Sequence, residues 1–131
     1  MKRTVVAILF LTMLIVTSCE IDGTPPCSEE VPTTALVKEF PDSLKVGVTY
    51  KVDIAYIINN NCGQFERFDV TANQKAFSVQ LITKYEGCNC NIEMSEQHIE
   101  FDINLDFPGL YQYNFWQADG DYDTRTVTIY E

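Results

Sequence analysis

Cys88, Cys90, Met94 and His98 gather soft donors in one short stretch, and such a set of sulfur and imidazole ligands could hold copper(I) or zinc. A blue-copper arrangement needs two histidines, and this chain has one. That single histidine also leaves few ways to build a Cys-His or Ser-His dyad, and no G-x-S-x-G motif accompanies it. Glu100 and Asp102, at i and i+2, could bring two carboxylates to acid/base distance, although polar strand faces of acidic proteins carry such pairs routinely. Asp119, Asp121 and Asp123 offer three hard oxygen ligands in one loop, as calcium sites do. The loop positions where an EF-hand needs glycine and glutamate hold Thr124 and Tyr130, so the plainer reading is a tight hairpin turn at Asp119-Gly120. Trp116 is different: if Tyr111, Tyr113 and Phe115 point inward, then Gln112, Asn114 and Trp116 point outward. A stacking ring beside two amide groups is the equipment of a sugar-binding face. The chemistry expected is binding and not catalysis. No catalytic residue, metal site or cofactor is assigned, and Trp116, Gln112 and Asn114 are the candidate ligand contacts.

These residues must be positioned by strands, because from Thr33 onwards the hydrophobic period is two. Val48, Tyr50, Val52, Ile54, Tyr56 and Ile58 alternate with Thr49, Lys51, Asp53 and Ala55, which predicts a long half-buried strand ending at the Asn59-Asn60-Asn61 turn. Phe65, Phe68 and Val70 mark the next strand, and their irregular spacing predicts a bulge. Phe77, Val79, Leu81, Thr83 and Tyr85 alternate again until Gly87 and the Cys88-Asn89-Cys90 segment break the run. Ile99, Phe101, Ile103 and Leu105 form an inward stripe facing away from His98, Glu100, Asp102 and Asn104. Val127 and Ile129 alternate with Thr126, Thr128 and Tyr130, and Thr33 to Phe40 is expected to supply the first strand. About seven short strands with frequent turns, and no helical pattern, predict an all-β chain folded as an antiparallel β-sandwich.

The first residues set the address. Lys2 and Arg3 precede an almost wholly apolar run from Val5 to Thr17, which has the layout of a secretory signal and is too short to span a bilayer. Val16-Thr17-Ser18-Cys19 resembles a lipobox, which in bacterial lipoproteins is cut just before a cysteine that carries a diacylglycerol. The resemblance implies a signal peptide over 1–18, lipid attachment at Cys19 and a membrane anchor made of acyl chains such as palmitate. Glu20 to Pro32 is acidic and rich in proline, so 19–32 reads as a tether and 33–131 as a single domain. The acidic opening after Cys19 resembles export signals of surface lipoproteins in Bacteroidota, which implies the outer membrane or cell surface rather than the inner membrane.

Loss of Lys2 and Arg3 with the signal takes the formal charge of the chain from −10 to −12. Phosphate backbones and anionic lipid heads would repel such a domain, so nucleic acid is not an expected partner. Cys27, Cys62, Cys88 and Cys90 remain after Cys19, and an even count in an exported chain reads as two disulfides. Cys88 and Cys90 stand too close to pair without strain, so each is expected to pair with Cys27 or Cys62, in either combination.

Pro108-Gly109-Leu110-Tyr111 resembles the tyrosine corner of immunoglobulin-like domains, where a phenol caps a backbone group at the bend. Asn61-Cys62-Gly63-Gln64-Phe65 followed by Lys84-Tyr85-Glu86-Gly87-Cys88-Asn89-Cys90 resembles a family of small Bacteroidota lipoproteins with an Ig-like domain and no assigned activity. That likeness implies a lipid-anchored module of the cell envelope that works on a protein partner or as a structural part. A carbohydrate-binding surface lipoprotein using Trp116 with Gln112 and Asn114 is the alternative expectation.

Overall fold

The computed structural model describes residues 27–131. The signal over 1–18, the acyl-acceptor Cys19 and the first part of the tether lie outside the described residues. Among the described residues there are nine strands: β1 Ser28–Thr33, β2 Leu36–Val37, β3 Ser43–Lys45, β4 Tyr50–Asn60, β5 Gly63–Asn73, β6 Ala76–Glu86, β7 Ile92–Ile103, β8 Gly109–Ala118 and β9 Asp121–Tyr130. They form a β-sandwich of one six-stranded and one three-stranded sheet, the latter ordered β2-β4-β7. In the larger sheet β6 is the organiser. One edge of it carries β5 along its length, while the other carries β8 beside Ala76–Val79 and β1 beside Leu81–Glu86.

Alternation explains which side chains meet. Val52, Ile54, Tyr56 and Ile58 of β4 and Phe101 and Ile103 of β7 are buried against Val79, Leu81, Tyr111, Tyr113, Phe115, Val127 and Ile129 of the other sheet. Phe101 is the hinge of this packing: its ring lies 5.1 Å from Phe68, 6.0 Å from Tyr113 and 5.8 Å from Phe115, each edge to face. Such tilted contacts suit the ring quadrupoles. Burial also holds the Tyr113 phenol protonated, its pKa pushed up to about 12, with Tyr111 adding a smaller effect. The predicted bulge falls between Phe65 and Arg67, and the extra residue lets Phe65 and Phe68, three apart, turn to the same side with rings 4.9 Å apart. At the predicted corner the Tyr111 hydroxyl donates to the Phe107 carbonyl at 3.1 Å.

The structure departs from the sequence expectations chiefly in three places. The expected tether over 19–32 is shorter, because Ser28–Thr33 is strand β1, paired in register with Leu81–Glu86. Pro32 survives in that strand because β1 is bonded on one side only, where a missing N–H costs no ladder bond. The segment expected as one strand from Thr33 to Phe40 instead crosses between sheets: Thr34 Oγ1 donates to the Gln117 carbonyl at 2.8 Å, and only Leu36–Val37 pairs, with β4. Finally, β3 runs parallel to β9 and β6 runs parallel to β8, so the antiparallel plan holds in the other ladders but not in these two.

One buried group is out of place. Thr83 is 0% exposed and, among the described residues, its Oγ1 has no hydrogen-bond partner. An unpaired buried hydroxyl costs about 1–3 kcal/mol. Thr83→Val keeps the branched shape and removes that atom, so its urea midpoint is expected to rise, with a gain of roughly 1 kcal/mol. A fall in midpoint would show that the hydroxyl is satisfied in solution.

Candidate functional site

The outward face of the six-stranded sheet carries the residues singled out for stacking. Direct pairing sets Trp116 of β8 opposite Tyr122 of β9, Ser78 of β6 opposite Asn114, Thr71 of β5 opposite Ser78, and Asp69 opposite Gln80. Two rows therefore cross the sheet, one ending in the two aromatic rings and one made of small polar side chains. Between them lies an open groove of about 170 Å³, lined by Asp69, Thr71, Ser78, Gln80, Trp116 and Tyr122. Trp116 is half-buried in it, and Tyr122 is 47% exposed.

Gln112 and Asn114 do face outward, yet they do not line this groove. Gln112 Nε2 donates to Asn114 Oδ1 at 2.8 Å, and Thr124 Oγ1 donates to the same oxygen at 2.9 Å, so these amides are engaged with each other and with β9. The polar lining of the groove comes instead from β5 and β6. Alternation along those strands could have named Asp69, Thr71, Ser78 and Gln80 as outward, but nothing local in the sequence sets β6 beside β8.

The outward face of the smaller sheet is a charge ladder. Lys51 Nζ lies 2.9 Å from Glu100 and 3.2 Å from Asp102, so the two carboxylates considered for acid/base work share one cation. Their hydrogen bonds raise the Lys51 pKa above its usual range. His98 sits between Asp53, at 3.0 Å from Nδ1, and Glu96, at 3.2 Å from Nε2. Glu96 also meets Lys38 at 3.1 Å, chiefly through which its pKa is lowered. All these groups are exposed, and such ion pairs contribute little to stability.

The three aspartates of the β8–β9 turn are not gathered around one point. Asp123 is gripped by Arg125 through two bonds of 2.8 and 2.9 Å, while Asp119 and Asp121 are exposed. The turn itself is the two-residue connection predicted, with Gly120 at φ 79°. Among the described residues no group of three His, Cys, Asp or Glu side chains could hold a metal ion. Cys88 and Cys90 are both oxidised: Cys27 pairs with Cys88 and Cys62 with Cys90, at Cα separations of 4.9 and 5.7 Å. Gly87 closes this corner, donating its N–H to the Cys27 carbonyl at 2.7 Å with φ 140°, and a Cβ there would stand 3.0 Å from Cys62 Sγ.

A second surface went unnoticed in the sequence. Where the chain crosses from β1 to β2 it borders a trough of about 550 Å³ reaching over the outer ends of β4 and β7, lined by Val31, Pro32, Leu36, Ile57, Tyr85 and Met94 among others. Leu36 is 37% exposed, Ile57 41% and Met94 69%. No protein-family model, curated protein or solved structure matches this chain.

Proposed function

We propose that the protein is a lipid-anchored lipoprotein of the cell envelope, held by acyl chains on Cys19, and that its sandwich works as a protein-interaction or structural module. The observation that carries the interaction reading is the exposed apolar trough around Leu36, Ile57 and Met94, rimmed by strand edges and left open to solvent. Exposed apolar patches of this kind favour association with another protein surface. The two disulfides suit an oxidising compartment, as the lipobox-like tetrad does. Neither nucleic-acid binding nor catalysis fits the acidic charge or the neutralised side-chain clusters. The likeness to small Bacteroidota lipoproteins supports the outer membrane or cell surface as the address.

Two measurements test this. Cells fed a clickable palmitate are expected to label the wild-type chain and not Cys19→Ser, and equal labelling of both would end the anchoring claim. A photo-crosslinker placed at Met94 in intact cells is expected to give discrete adducts that disappear with Ile57→Asp and are absent from a crosslinker at Thr128. Identical adduct patterns from both positions would end the claim for the trough.

A further inference from the structure

We infer that the groove between Trp116 and Tyr122 is a binding site for one neutral pyranose ring of a glycan. Two aromatic side chains stand side by side on neighbouring strands at one end of it. The rest of its lining includes the hydroxyls of Thr71 and Ser78 and the amide of Gln80. A pyranose presents both complements at once: an apolar C–H face that stacks on an aromatic ring and a rim of hydroxyls that need donors and acceptors. An apolar peptide would leave the hydroxyl and amide groups unmatched.

Size and charge narrow the class. The groove holds about 170 Å³, against about 300–1,000 Å³ for sites that take drug-sized molecules. It therefore admits a single ring, with the rest of a chain running out along the open face. Its one charged lining group is Asp69, whose carboxylate is fixed by Arg67 Nε at 2.8 Å and Nη2 at 3.5 Å and keeps lone pairs for a hydroxyl. On a chain of formal charge −10, sulfated, phosphorylated and uronic-acid sugars meet an unfavourable field. Neutral hexoses and N-acetylated hexosamines do not. The groove shares no lining residue with the apolar trough, so this site stands or falls apart from lipidation and from the interaction reading.

Trp116 is the chain's one tryptophan, so its fluorescence reports the groove directly. The mature domain is titrated into the millimolar range with cellotetraose, mannotetraose, maltotetraose and chitotetraose, with a sulfated oligosaccharide alongside. A saturable change with at least one neutral oligosaccharide and none with the sulfated one is expected. Gln80→Ala and Tyr122→Ala are each expected to weaken binding by about five- to tenfold, the loss of one hydrogen bond or one stacking partner, with Tyr122→Phe close to wild type. The far-ultraviolet dichroism of each variant shows that the sheet is intact. No saturable change with any neutral oligosaccharide, preference for the sulfated one, or undiminished affinity in folded Gln80→Ala and Tyr122→Ala would each overturn the assignment.

Discussion

Truncating Phe115 to alanine is expected to lower unfolding stability by about 3–5 kcal/mol, among the largest effects of any single side chain here. The residue is 0% exposed, and its ring touches both sheets: 5.8 Å from Phe101 of β7, 6.0 Å from Phe40 in the loop after β2 and 6.3 Å from Tyr113 on its own strand. Neighbouring rings are held by their own strands and cannot collapse into the space, so the lost transfer free energy is joined by the cost of a cavity. A domain of this size has roughly 5–15 kcal/mol in hand, so the variant would stand near its unfolding limit. Urea titration followed by dichroism gives the number. Phe107→Ala is the control, since that ring is 72% exposed and its removal is expected to stay within about 0.5 kcal/mol of wild type. Equal midpoints for the two variants would contradict the packing described.

The second large effect concerns the paired sulfurs. Cys27–Cys88 spans 61 positions and Cys62–Cys90 spans 28. In the chain-entropy account, bridges over such loops stabilise by about 4.3 and about 3.6 kcal/mol respectively, by restricting the unfolded chain. Replacing both members of either pair with serine is expected to cost about that much, and the Cys27/Cys88 double variant is expected to be the weaker of the two. Urea midpoints measured without reductant check the order. A non-reduced digest analysed by mass spectrometry is expected to yield the Cys27–Cys88 and Cys62–Cys90 peptides, and the crossed pairing would reject the connectivity.

What the sequence could reveal followed from how local each determinant was. The inward stripes of β4, β7 and β8 are set by alternation within each strand and were legible there, except at Val48, which precedes β4 and is exposed, and at Ala55, grouped with the polar residues but buried. The bulge at Glu66 could be read because it displaces Phe68 by one position in a regular pattern. β1 could not, because Ser28–Thr33 is composed like a linker: its order comes from pairing with β6 and from the bridge at Cys27, both contributed by residues some fifty to sixty positions away. The groove shows the same division. Outward orientation of Trp116 is a local property and was legible. Its neighbours depend on β6 lying parallel to β8, a pairing that becomes possible because the chain visits the opposite sheet through β7 between them. No short pattern encodes that detour, so Gln112 and Asn114, the outward residues before Trp116 on its own strand, stood in for Asp69 and Gln80 of the groove lining.

The bridge at Cys27 also decides how the domain bears load. Pulling on the chain ahead of that residue would otherwise peel β1 from β6 one hydrogen bond at a time, starting from the Ser28–Glu86 pair. With Cys27 joined to Cys88, tension enters a covalent bond and passes directly to the segment linking β6 and β7. The zipper is bypassed, and shear on the leading end is spread over the sandwich instead of being focused on β1.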